Sequence, residues 1–101
     1  MIVEAPPTQW PDKNPADVLD FTADFTDFLE TAELITSRTV TVPGGITKDS
    51  DSITSDSKKI TVWLSSGTNG NSYEVSVSVG TNSSPARTVK RYWSIRVVEK
   101  L

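Results

Sequence analysis

Tyr73, Val75, Val77 and Val79 alternate without a break against Glu74, Ser76 and Ser78. A period of two places every apolar group on one face of an extended strand, whereas a helix would scatter the same groups around its axis. The period recurs. Ile60, Val62 and Leu64 alternate with Thr61 and Trp63, and Trp93, Ile95 and Val97 with Tyr92, Ser94 and Arg96. Val40 and Val42 are in phase within "SRTVTVP", which ends at Pro43-Gly44-Gly45. "GITKDSDSIT" carries Ile46 and Ile53 on a polar background and reads as an edge strand or a loop. Between these runs stand "TNGN" and "TNSSPAR", both turn sequences. Short alternating segments divided by Gly, Asn and Pro predict an all-β sandwich. Tyr73, opening a strand after the Gly70 turn, resembles the tyrosine corner of immunoglobulin-like domains.

Length limits this architecture to one unit. The chain has 101 residues, 36% of them apolar, which suffices for one modest core. Ser and Thr supply about a quarter of the residues and suit strands and turns. There is no repeat at a solenoid or propeller period. The expected organisation is an extended N-terminal arm over residues 1–14 and a single β-sandwich domain over 15–101. Pro6, Pro7, Pro11 and Pro15 fix φ and remove amide donors in and beside the arm, which favours a polyproline-like path; the arm is either disordered or a tether that orders by lying on a neighbour.

The segment "PADVLDFTADFTDFLE" fits two templates. As a helix, it places Val18, Phe21, Phe25, Phe28 and Leu29 on one face, with Asn14-Pro15 as cap and first position. As a strand, Leu19, Phe21, Ala23 and Phe25 face one way, and Asp20, Thr22 and Asp24 the other. Phe and Thr favour the strand, and interior Asp and Thr weaken the helix. The combined expectation is a helical turn at 15–18, a strand at 19–25 and one short helix at "TDFLE".

The composition removes most chemistry. Without cysteine there is no disulfide or thiolate ligand, and without histidine there is no Ser–His pair and no imidazole base. "DSDSITSDS" fails as a calcium loop, because the sixth and twelfth positions from Asp49 hold Thr54 and Ile60 rather than glycine and an acid. "SSGTNGN" lacks the lysine of a phosphate loop. As a helix, Asp17, Asp20, Asp24 and Asp27 form one wet stripe, and as a strand Asp20 and Asp24 point to solvent with Thr22 between them; neither template makes a carboxylate pair in a pocket. No catalytic, metal or cofactor site is expected. No run of about eighteen apolar residues exists to span a membrane. "MIVEAPPTQW" has neither a basic start nor a long apolar stretch, so use without export is expected.

Net charge is −3, which gives no reason to expect a nucleic-acid partner. "VKRYW" mixes bases with aromatics, but its alternation is that of an ordinary strand. Residues 1–56 hold eleven acids and three bases, and residues 57–101 two acids and seven bases. Either the halves interleave and their charges mix, or they form complementary faces for stacking copies or partners. The alternation turns Trp63 and Tyr92 outward, and large exposed aromatics mark interfaces. Partner binding is therefore assigned to Ile2, Val3 and Trp10 on the arm, and to Trp63 and Tyr92 on the body. Deletion of residues 2–11 is expected to spare the fold.

"KNPADVLDFTADFTDFL", "SRTVTVPGGIT" and "KITVWLSSGTNGNSYEVSVSVGTNSSPARTVKRYWSIRVVEK", in that order, resemble the phage fibre–tail adaptor proteins of tailed bacteriophages. Asp17 to Asp20, Asp24-Phe25, Val40 to Pro43, Thr61 to Gly67, Gly70, Tyr73 to Val79 and Arg87-Thr88 carry the likeness. The chain departs from that pattern at Ser66-Gly67, where Gly-Gly is favoured, and at Phe25, Phe28 and Val40, where tryptophan is common. The resemblance implies a small immunoglobulin-like, non-enzymatic virion protein at the neck or tail. It would link the tail body to fibres or neighbouring structural proteins, in several copies within a symmetric assembly, after assembly in the host cytoplasm. A capsid decoration protein and a surface glycan-binding or adhesion module are the alternatives.

Overall fold

A computed structural model of the chain describes residues 8–99. Its strands are β1 (Thr8–Gln9), β2 (Leu19–Asp24), β3 (Ile35–Thr41), β4 (Ile46–Ile53), β5 (Lys59–Ser66), β6 (Ser72–Thr81) and β7 (Thr88–Arg96). They form two sheets, one in the order β1-β7-β6-β3 and one in the order β2-β5-β4. All pairings are antiparallel except β1 with β7.

The alternating positions close on each other as the sequence predicts. Val75, Val77, Val79 and Ile95 are fully buried from the larger sheet, and Ile60, Val62, Leu64 and Ala23 from the smaller. Removing these groups from water is the main favourable contribution to folding. The polar segment 46–53 is an edge strand, paired only with β5. It can be polar because its outer positions face water and only Ile46 is buried.

Two expectations are corrected. There is no helix among the described residues, and "TDFLE" forms turns instead. Asp24 Oδ1 accepts the Thr26 amide at 2.8 Å, and the Phe28 amide donates to Phe25 O at 2.9 Å. An aspartate that captures a nearby amide stabilises a turn at the expense of a helix. Residues 15–18 likewise hold only one turn, closed by Asp17 N on Asn14 O at 2.9 Å.

The second correction concerns the arm. Residues 8–13 lie along β7 rather than standing off the body. Thr8 and Gln9 pair with Trp93 and Ser94, the Trp10 amide donates to Ser94 O at 2.9 Å, and Lys13 bridges Val97. Deleting residues 2–11 would thus remove an edge strand and a core residue, because Trp10 is buried. Proline's missing amides are tolerable at such an edge, where one side of the segment makes no ladder bonds. Ile2 and Val3 lie outside the described residues.

Gly67 permits the corner between β5 and β6. Its φ is +101°, and a Cβ placed there would lie 2.6 Å from Val97 Cγ2. Both the conformation and the space favour glycine. Gly67→Ala is expected to cost about 2–3 kcal/mol in unfolding free energy, measured by urea denaturation. A cost below about 0.5 kcal/mol would show that the corner relaxes freely.

Candidate interaction surfaces

Trp10 is the hinge point of the N-terminal segment. Its backbone belongs to β1's side of the larger sheet, while its indole Nε1 donates to Thr22 O on β2 at 2.9 Å. The ring stacks on Phe21 at 5.2 Å and on Trp93 at 5.7 Å between centroids, and Phe25 meets Trp93 edge-on at 5.5 Å. One residue therefore joins the two sheets along the side where β2 and β7 would otherwise leave a gap. A cleft remains on each side of it, one walled by Thr8, Thr22, Asp24 and Arg91, the other by Pro11, Leu19 and Phe21.

Lys13 secures the other end of the segment. Its side chain is buried, and Nζ donates to Ser66 O at 2.6 Å, Asn14 O at 2.9 Å and Pro15 O at 3.4 Å. Three carbonyls use the three donors of an ammonium group. Burial pushes its pKa down, and the fields of Asp17 and Asp49 oppose that shift. Tyr73, also buried, accepts the Thr68 amide at its hydroxyl at 2.8 Å, a bond that holds the phenol below its usual pKa. Lys13 and Tyr73 together tie the 66–73 corner to the segment before β2.

At the opposite end of the sandwich, loop 25–34 meets loop 82–87 around Glu33, which is buried. Its carboxylate accepts from Thr81 Oγ1 at 2.6 Å, from Arg87 Nε at 2.9 Å and Nη2, and from the Glu30 amide at 2.9 Å. Arg87 Nη2 also donates to Phe28 O at 3.1 Å, and its guanidinium lies 4.2 Å from the Phe28 ring centroid. The Arg87 guanidinium, with the Glu30 amide and the Thr81 hydroxyl, holds Glu33 far below the usual carboxylate range. The cluster is a bidentate clamp with all its acceptors served, so its chemistry is structural.

The body aromatics lie on opposite outer faces. Trp63 is 40% exposed at the middle of β5, between its register partners Asp20 and Ser50. Tyr92 is half-buried on β7 opposite Ser76, with Lys90 Nζ 5.5 Å from its ring centroid. Of the five residues assigned to partner binding, Trp63 and Tyr92 face outward as the alternation predicts, and Trp10 faces the core. Lys13, Glu33 and Arg87 escaped the sequence reading. Glu33 sits in "TAELI" with no pattern to mark it, and Lys13 looks like any solvated lysine.

Among the described residues, no group of His, Cys, Asp and Glu could hold a metal ion. No side-chain polar atom is buried without a partner among them. No curated protein matches the chain. The model of one protein family matches residues 13–96, from Lys13 through the end of β7, which includes the buried lysine, the clamp and both outward aromatics. With that match spanning nearly the whole sandwich, the chain belongs to the podophage GP4 fiber-tail adaptor protein gp77 family.

Proposed function

We propose that this chain is a non-enzymatic structural protein of a podophage virion, an adaptor at the neck or tail that links the tail body to fibres or neighbouring structural proteins. The observation that carries the reading is the family match over residues 13–96. The surface is in keeping with it: large outward aromatics on flat strand faces, and buried polar groups used to brace loops. The strand order supports an immunoglobulin-like sandwich, since β2-β5-β4 and β3-β6-β7 follow the division of strands in that fold. The Tyr73 hydroxyl bond at the start of β6 supports it as well.

In this reading Trp63 and Tyr92 contact partners directly. Trp10 acts by anchoring the segment from which Ile2 and Val3 extend to a neighbour, where a short apolar strand can add to a sheet edge. Several copies in a symmetric assembly would multiply contacts that are weak one at a time. Deleting residues 2–7 spares Trp10. It is expected to leave the circular dichroism spectrum and melting unchanged and to yield particles that lack the chain. Particles carrying the truncated chain at the wild-type copy number would rule out the role of Ile2 and Val3.

A further inference from the structure

The sequence halves mix within both sheets, yet the outer faces keep opposite charge. On β2-β5-β4, the outward positions of β2 and β5 are Asp20, Thr22, Asp24, Lys59, Thr61, Trp63 and Ser65, set by their register against buried Phe21, Ala23, Ile60, Val62 and Leu64. Lys59 is the cation in this set; it is held by Asp56 at 3.0 Å and stands opposite Asp24 at the far end of the pair, so the carboxylate beside Trp63 is that of its register partner Asp20. On β7 the outward positions are Lys90, Tyr92, Ser94 and Arg96, opposite buried Trp93 and Ile95. Their neighbours on β6 are small, Ser76, Ser78 and Gly80, with Glu74 as the acid. Among the described residues, Asp20, Lys90 and Arg96 make no ion pair within the chain, although five other pairs form.

We infer that the acidic outer face around Trp63 docks on the basic outer face around Tyr92 of a second copy of this chain. Trp63, standing above short neighbours, would lie beside Tyr92 over the part-exposed Ser78, next to Ser76, which is itself buried within the sheet. Lys90 and Arg96 would then reach Asp20, Asp24 and the indole face, where a cation gains from the ring quadrupole. The two surfaces differ, so the contact is head-to-tail, and its repetition gives a ring if the rotation closes. Three strands of about eight residues, at about 3.3 Å per residue and about 4.8 Å apart, cover roughly 400 Å². That is half of the about 800 Å² per partner of a stable interface, so one contact is weak and a closed ring gains by repetition. This deepens the multi-copy part of the proposed function and rests on it.

The test is sedimentation equilibrium of the intact chain up to about 1 mM, the range where contacts of about −4 kcal/mol show. Wild type is expected to self-associate, about tenfold more weakly once salt shortens the screening length from about 10 Å to about 3 Å. Trp63→Ala is expected to weaken association by at least about tenfold. Asp20→Lys with Thr22→Lys makes both faces basic and leaves Asp24 in its turn. Lys90→Glu with Arg96→Glu makes both faces acidic. Each reversed variant alone is expected to be monomeric, and an equimolar mixture is expected to associate as strongly as wild type. A monomeric wild type, a reversed variant that associates alone at wild-type strength, or a monomeric mixture overturns the inference. A chain that stays monomeric yet enters particles defeats only the stacking, whereas one that associates but is absent from particles defeats the adaptor reading.

Discussion

Trp10→Ala is expected to lower the unfolding free energy by about 3–5 kcal/mol, the range for deleting a large aromatic group from a packed core. The indole is only 5% exposed, stacks on two aromatic rings, and donates its N–H to Thr22 O. Truncation opens a cavity between the sheets and leaves the Thr22 carbonyl without its indole donor. Because a domain of this size has about 5–15 kcal/mol in total, the variant sits near the edge of folding. Its melting temperature should fall by more than about 10 °C, at roughly 4–8 °C per kcal/mol. Trp63→Ala is the matched control. The same residue type on an exposed strand face should change stability by no more than about 1 kcal/mol. Urea denaturation of both variants checks the pair. Equal losses would show that residues 8–13 do not hold Trp10 in the core in solution.

The second large effect is at Glu33. Its folded pKa lies below its unfolded value, whose reference is 4.5, because Arg87, the Glu30 amide and Thr81 all favour the ionised carboxylate. A depressed carboxylate contributes its full stabilisation above the unfolded pKa and loses it as pH falls toward the folded value. Wild-type stability should therefore decline from about pH 5 downward. Glu33→Gln should be strongly destabilised at pH 7, because Arg87 loses its counter-charge against a buried site. It should lose much less on acidification, so the two stability curves converge below about pH 4. Asp56 is also depressed, to about 2, through Thr54 and Lys59, and it titrates in the same window. Asp56→Asn therefore serves as the comparison. Its side chain is exposed and its ion pair with Lys59 is screened, so the effect should be small. Parallel decline of wild type and Glu33→Gln from pH 7 to pH 3 would place the acid sensitivity elsewhere.

The readings that held rest on a period of two. Val75, Val77 and Val79, and equally Ile60, Val62 and Leu64, are placed by alternation alone, since a pleated strand leaves no other way to bury them together. The outward placement of Trp63 and Tyr92 follows from the same rule, because each neighbours residues that must face in. Gly45 and Gly70 were legible as turn residues. Pairing across the sheets was not: nothing local in Thr8–Trp10 says that it runs parallel to β7, some eighty residues on. The short helix was misread because "TDFLE" has helical spacing, yet the preceding Asp24 takes the Thr26 amide into a turn.

The amino-acid order alone therefore determined an all-β chain of short strands, the alternating core residues of β5, β6 and β7 and the outward aromatics, since each depends on nearest-neighbour geometry and burial. Only the tertiary structure decided that Trp10 closes the sandwich, that Lys13 is caged by carbonyls and that Glu33 is clamped by Arg87. Each of these depends on groups far apart in the chain, and a lysine, a glutamate or a tryptophan carries no local mark of the partner that folding will bring to it.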